Sequence, residues 1–187
     1  ESVRRQADLL AAAGATHLVS AAVVDLAWSP RTPLRERAWG TLLQGLDQLD
    51  DLARAAGLEH VLHPHVGTLV ETDAELRRVL AGGDVRICLD TGHLGLGGCD
   101  LVELVRTWGT RVGHVHLKDV RAAVARRLHD GALDLVGATR AGLFCPLGDG
   151  DLPVAEVVEA LELGGYPGWY VLEQDTTLES AELPEGA

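Results

Sequence analysis

Imidazole and carboxylate side chains recur at the ends of four apolar segments of this sequence. Because successive side chains of a β-strand point to opposite faces, His114 and His116 share one strand face while Val115 takes the other. Imidazole and carboxylate together are ligands that Mn²⁺, Co²⁺, Fe²⁺ and Zn²⁺ accept. Each of these residues alone could be a hydrogen-bonded core residue, but agreement at four ends favours a metal site. The clustered residues are His63, His65, Asp90, His93, His116, Lys118 and Glu173.

The apolar segments alternate with stretches of helical period. Thr32 is a candidate N-cap for a helix with Pro33 in its first turn. Thr72 and Glu75 have the spacing of a capping box at the start of another helix. Strands are predicted at 17–24, 59–63, 85–90, 112–117 and 169–173, and helices at 4–13, 33–56, 73–80, 101–108 and 154–163, with at least one more within 122–150.

This alternation of strands and helices predicts one α/β domain over residues 1–187 with a parallel sheet. A doubly wound sheet and a (β/α)₈ TIM barrel both fit the pattern. No Gly-rich phosphate fingerprint follows a predicted strand, which disfavours dinucleotide binding. In a TIM barrel the active site lies at the C-terminal ends of the strands, where the clustered side chains fall. Five strands instead of eight indicate a barrel that is incomplete within this sequence.

The amino-acid composition limits the classes of molecule that the protein is expected to bind. The 187 residues carry 28 acidic against 16 basic side chains, a net charge of −12, which repels nucleic acid phosphates and anionic lipid. No segment approaches the roughly 20 apolar residues of a membrane span. Three cysteines without a CxxC pair indicate reduced thiols in a cytoplasmic protein. The expected partner is therefore a small molecule, with neither nucleic acid nor membrane involved.

Five motifs carry a resemblance to a known family. They are HPHVGT at 63–68, LDTGH at 89–93, HVHLKD at 114–119, PLGDGD at 146–151 and GWYVLEQD at 168–175. In this order they resemble the xylose-isomerase-like TIM-barrel superfamily (the sugar phosphate isomerase/epimerase family), and in particular inosose (2-keto-myo-inositol) dehydratases. The resemblance covers about residues 5–178. It implies that the sequence starts after the first two barrel strands and stops before the last helix.

The resemblance also implies a metal-ligand set. Asp90, His116 and Glu173 match the last three ligands of the family's usual Glu, Asp, His and Glu. His63 stands where many relatives have the first glutamate, and we expect it to be the fourth ligand. The implied cofactor is a divalent metal ion, Mn²⁺ or Co²⁺ first, with Zn²⁺, Fe²⁺ or Mg²⁺ as alternatives.

The remaining site residues follow from the same resemblance and from position. Glu71 resembles a substrate-binding glutamate of the epimerases, and His93 and Lys118 resemble substrate contacts. His65 lies beside the ligand position, and Trp28 follows a predicted strand end; both are expected to contact substrate. We expect the catalytic groups to be Glu173, His63 and Lys118.

Histidine in place of one metal-bound glutamate bears on the reaction. Epimerases of this type use two such glutamates, one on each face of the substrate, so the replacement suits an elimination better. We therefore expect proton abstraction α to the carbonyl of a keto-sugar or keto-inositol, followed by dehydration. A sugar isomerase or epimerase on the same site is the alternative, and an abasic-site endonuclease or a non-catalytic sugar-binding barrel fits less well. Barrels of this kind often associate, so a homo-oligomer is also expected.

Overall fold

The computed structural model describes residues 2–24 and 31–177, in which helices and strands alternate. The predicted strands and helices all occur, most with bounds shifted by a few residues. The helices are α1 (Ser2–Ala12), α2 (Glu36–Ala55), α3 (Asp73–Gly82), α4 (Thr91–Leu96), α5 (Leu101–Trp108), α6 (Ala122–His129), α7 (Leu135–Arg140) and α8 (Val154–Leu163), with a 3₁₀ turn at Gly109–Arg111. The strands are β1 (His17–Ser20), β2 (Glu59–Leu62), β3 (Arg86–Asp90), β4 (Val112–Leu117), β5 (Asp119–Val120), β6 (Phe144–Cys145) and β7 (Tyr170–Leu172).

Five strands form one sheet in the order β1–β2–β3–β4–β7, and every neighbouring pair is parallel. Parallel neighbours need long crossovers, which the helices between them supply. All five strands therefore end at the same edge of the sheet. This half-barrel wall agrees with the predicted incomplete TIM barrel.

The alternation of side chains along β3 separates the core from the site. Ile87 and Leu89 are fully buried in the main apolar cluster, which also contains Leu76 of α3 and Leu104 of α5. Cys88 and the last residue of β3 occupy the other face of the strand. Burial of each large aliphatic side chain contributes roughly 1.5–3 kcal/mol, so this helix-covered face anchors the sheet.

A polar link ties α2 to the two neighbouring strands. His60 is buried, and its Nδ1 contacts the carboxylate of Asp50 on α2. Its Nε2 lies 2.7 Å from the hydroxyl of Ser20 at the end of β1. Both ring nitrogens of this buried histidine therefore have a partner, as a buried polar group requires.

A second, antiparallel pair of strands lies beside the end of β4. Val120 pairs with Phe144 in β5 and β6, and the loop at 146–152 follows. The carboxylate of Asp119 accepts hydrogen bonds from the backbone N–H groups of Gly148, Gly150 and Leu152. One buried side chain thus fixes the loop at 146–152.

Two sequence predictions are corrected. Thr32 does not cap a helix: α2 begins at Glu36, and Arg35 is its N-cap without a side-chain hydrogen bond. The capping box of Thr72 and Glu75 is confirmed at the start of α3. The first strand ends at Ser20, four residues earlier than predicted, where the chain leaves the ladder. No helix within residues 2–24 and 31–177 is long and apolar enough to cross a membrane.

Candidate metal centre

Asp90 lies at the C-terminal end of β3, and its two carboxylate oxygens contact different neighbours. Its Oδ1 accepts the backbone N–H of His93 at 2.9 Å, which makes Asp90 the N-cap of α4. Its Oδ2 faces the other way, 3.3 Å from Nε2 of His63 and 3.6 Å from Nδ1 of His116. A fully buried carboxylate therefore presents one oxygen to two imidazoles.

His116 brings the end of β4 into the same place. Asp90 and His116 are register partners on β3 and β4, and their side chains leave the same sheet face. Nδ1 of His116 lies 2.9 Å from Oε2 of Glu173, which follows β7. Neither of these two buried atoms has a hydrogen-bond partner among the described residues. Two electron-rich atoms thus meet without a hydrogen bond between them, as expected of ligands around a cation.

Three further imidazole contacts surround these groups. The His63 ring lies 5.0 Å from the His116 ring and 5.6 Å from the His93 ring, measured between centroids. The His65 ring lies 3.5 Å from the His93 ring, and His65 Nδ1 lies 2.7 Å from the carbonyl oxygen of Val66. The predicted residues His63, His65 and His93 therefore form one cluster with the Asp90 carboxylate.

Lys118 is the one buried cation of this cluster among the described residues. Its side chain is 1% exposed, and Nζ lies 3.0 Å from Oδ2 of Asp175. The same ammonium lies 3.5 Å from carboxylate oxygens of both Asp90 and Glu173. It also lies 3.1 Å from Nε2 of His93. An ammonium only donates, so Nε2 accepts and the proton of His93 resides on Nδ1.

Burial and charge set the protonation of the cluster. Burial raises the pKa of Asp90, but the contacts with His116 and His63 outweigh it and hold that pKa well below its ordinary value. Burial lowers the pKa of His93 to about 2 and also lowers the pKa of His65. Burial opposes the charge of Lys118, yet the carboxylates, Asp90 first, raise its pKa. These pKa shifts favour an ionised Asp90, a charged Lys118 ammonium and neutral His65 and His93 rings.

Glu71, a predicted substrate contact, is paired with residues outside this cluster. Glu71 forms an ion pair with Arg31 at 2.8 Å and accepts the backbone N–H of Gly67 at 2.9 Å. Its charge is thus compensated within the β2–α3 connection. Trp28 lies outside the described residues.

The sequence reasoning left out two residues that the structure brings to the site. Asp175 pairs with Lys118, and its place two residues after Glu173 was the available signal. Cys88 lies on the inner face of β3 two residues before Asp90, where period-two alternation could have found it. In the sequence, Cys88 looks like an ordinary apolar residue of a buried strand, so its residue type did not mark it as part of the site.

The donor set fits a divalent cation. One ligand atom each from Asp90, His116 and Glu173 lie within 4.8 Å of one another, as do one each from His63, Asp90 and His93. Two carboxylates with imidazole nitrogens suit Mn²⁺, Co²⁺, Fe²⁺ or Zn²⁺. The unpartnered atoms on His116 and Glu173 are what such an ion would satisfy.

The sequence matches the family model of a xylose isomerase-like TIM barrel over residues 1–186. It is 38% identical over 143 residues to an inosose dehydratase of Geobacillus thermodenitrificans, which covers 75% of this chain and 48% of that protein. It is 36% identical over 140 residues to an inosose dehydratase of Lacticaseibacillus casei, covering 73% and 47%. The chain thus spans about half the length of the curated relatives it matches.

Solved structures share the fold at low sequence identity. The IolI protein with a bound zinc atom superposes with a TM-score of 0.69 at 17% identity, covering 92% of this chain and 59% of that one. The 3-keto-D-glucoside 4-epimerase YcjR from E. coli gives a TM-score of 0.66 at 22% identity, covering 95% and 63%. These likenesses support the barrel architecture.

Proposed function

This chain belongs to the xylose isomerase-like TIM barrel family, and we propose that it carries the metal centre of an enzyme that dehydrates a keto-inositol. The observation that supports this most is the convergence of Asp90, His116 and Glu173, whose ligand atoms meet within 4.8 Å. Relatives named inosose dehydratase at 34–38% identity support the substrate class. The expected substrate is a small cyclic ketone with hydroxyl groups beside the carbonyl.

Asp90, His116 and Glu173, with His63 as the fourth residue, would hold the metal, for which we expect Mn²⁺ or Co²⁺. A bound divalent ion supplies Lewis acidity at a carbonyl oxygen and so favours loss of the neighbouring proton. His63 contributes no negative charge, in contrast to a glutamate. The negative charge around the ion would then come from Asp90 and Glu173 alone. With two carboxylate ligands instead of three, the site would keep more net positive charge to attract the substrate oxygen.

Glu173 is the residue we assign to removal of the α-proton. Its side chain is 36% exposed, whereas that of Asp90 is fully buried, so Glu173 is the more accessible of the two carboxylates. A positioned general base of this kind contributes typically about 10²–10⁴-fold in rate. His63 is the other candidate base, because its Nε2 lies 3.3 Å from Oδ2 of Asp90.

Lys118 and His93 suit the departing hydroxyl. The ammonium of Lys118 can donate a proton or hydrogen bond to an oxygen that gains negative charge. Nδ1 of His93 is buried without a hydrogen-bond partner among the described residues, and it carries the ring proton. A substrate hydroxyl would satisfy that donor. Asp175 holds Lys118 in place through the 3.0 Å ion pair.

The test uses the Mn²⁺-loaded protein with 2-keto-myo-inositol in D₂O, read by proton NMR after chelation. Loss of the α-proton together with a dehydrated dione supports the proposal. Deuterium uptake or an epimer without dehydration would instead establish an isomerase or epimerase on the same site. The expected cytoplasmic location and homo-oligomer stay predictions.

Asp90→Asn tests the ligand assignment without removing the helix cap, because asparagine caps helices as well as aspartate. We expect a loss of metal affinity of about 100-fold or more, since changes even in residues behind a ligand cost about 10–100-fold. Asp100→Asn is the matched control, because Asp100 caps α5 in the same way. Unchanged metal affinity in Asp90→Asn, measured by titration calorimetry, would contradict the assignment.

A further inference from the structure

Cys88 lies directly beneath the candidate metal centre. It is two residues before Asp90 on β3, so both side chains leave the same strand face. In the register with β4, Cys88 is opposite His114 and Asp90 is opposite His116. Cys88 is fully buried and not in a disulfide. The Cys88 thiol therefore lies on the same face of the sheet as Asp90, one side-chain position nearer the start of β3.

The thiol is close enough to the histidines to share an ion with them. One ligand atom each from His63, Cys88 and His116 lie within 4.8 Å of one another. In a tetrahedral zinc site with Zn–N and Zn–S bonds of roughly 2.0–2.3 Å, ligand atoms are roughly 3.3–3.6 Å apart. A modest rotation of the side chains therefore closes this set. Within residues 2–24 and 31–177, His116 Nδ1 has no hydrogen bond that would oppose such a rotation.

The two overlapping sets differ in chemistry. The upper set offers two carboxylates, from Asp90 and Glu173, and suits ions that prefer oxygen. The lower set offers a thiol with two imidazoles, and soft sulfur ligands select Zn²⁺ and related ions over Mn²⁺ or Mg²⁺. His116 belongs to both sets, so one ion position excludes the other.

We propose that His63, Cys88 and His116 form a second, deeper position for thiophilic divalent ions, and that its occupation by Zn²⁺ or Cd²⁺ empties the carboxylate-lined centre. The proposal rests on the proposed function only in that it shares His63 and His116 with the metal centre. The two positions would make activity depend on the kind of ion that is bound. An oxygen-preferring ion binds at the carboxylate-lined centre beside Glu173 and Lys118, whereas a thiophilic ion binds at the deeper position, farther from the substrate. Excess Zn²⁺ is then an inhibitor of the Mn²⁺-loaded protein.

The experiment is a Cd²⁺ titration of the metal-free protein followed by difference absorption spectroscopy. Bonding of a thiolate to Cd²⁺ gives an intense charge-transfer band in the ultraviolet, which nitrogen and oxygen ligands do not give. We expect this band in the unaltered protein and its loss in Cys88→Ser. Cys145→Ser is the matched control, because Cys145 is also a buried free cysteine but lies in β6. It should keep the band.

Asp90→Asn gives an independent arm, since it leaves His63, Cys88 and His116 intact. The proposal requires the band to persist in this variant even as Mn²⁺ binding is lost. Bound Cd²⁺ without a charge-transfer band, or a band that survives Cys88→Ser, would overturn the deeper position. Neither result bears on dehydration by the Mn²⁺-loaded protein, so failure of the proposed function is recognised separately.

Discussion

Replacement of Asp119 by asparagine should release the loop at 146–152 at a large cost in stability. Asp119 is 1% exposed, and its Oδ2 accepts the N–H groups of Gly148 and Gly150 at 2.9 and 3.1 Å. Its Oδ1 accepts those of Val120 and Leu152 at 2.8 and 3.2 Å. Asparagine keeps one of these oxygens and turns an NH₂ group, which cannot accept, toward two of the donors. Each hydrogen bond to a charged group contributes about 1.5–3 kcal/mol, so loss of two predicts about 3 kcal/mol or more.

The assay is urea unfolding at neutral pH, with the midpoint and slope fitted for each variant. Asp149→Asn is the control, because Asp149 lies in the same loop but is exposed. That change should stay within about 0.5 kcal/mol of the unaltered protein, as is usual for surface substitutions. If Asp119→Asn were as stable as Asp149→Asn, the four backbone hydrogen bonds would not stabilise the fold as argued.

Two further outcomes follow from buried groups at the site. Burial lowers the pKa of His93 from 6.5 to about 2, so below pH 6.5 the unfolded chain binds a proton that the folded chain does not. As the pH drops, this residue should lower the free energy of unfolding of the metal-free protein by about 1.4 kcal/mol per pH unit. Urea unfolding of His93→Asn between about pH 6.5 and 4.5 should show a smaller dependence of that free energy on pH. An identical dependence in the two proteins would contradict the argument. In Gly92→Ala the new Cβ would lie 2.8 Å from Cγ and Cδ of the buried Lys118 side chain, and overpacking of this kind costs about 1–3 kcal/mol. Thermal unfolding should show the loss, whereas Gly40→Ala, with nothing within 4 Å in α2, should be neutral or stabilising.

Local patterns predicted most elements well because local forces determine them. The capping box at Thr72 and the strand at 112–117 are set by short-range hydrogen bonding and by the alternation of side chains. The start of α2 was misplaced because Thr32 and Pro33 carry a helix-start signal that the structure does not use. Residues 31–35 are not helical, and no side-chain cap marks the boundary at Arg35.

The site was only partly predictable for a different reason. Parallel strands that end at one edge bring their last residues together, so the ends of β3 and β4 and the residue after β7 predict Asp90, His116 and Glu173 as neighbours. The pairing of Glu71 with Arg31 joins residues 40 positions apart and depends on how two connections pack. No sequence period contains that contact. The same holds for Lys118 and Asp175, 57 positions apart.

The two oxygens of the Asp90 carboxylate have different contacts, and this has a consequence for the abundance of the protein in a cell. One oxygen starts α4 and the other faces the metal-ligand cluster, so an ion held there would also restrain the β3–α4 turn. A ligand that binds only the folded state stabilises it by about 2.7 kcal/mol at a free concentration of 100 times its Kd. Changes of one to two kcal/mol alter steady-state abundance several-fold through proteolysis of unfolded chains. Metal supply would then govern the lifetime of the protein as well as its chemistry.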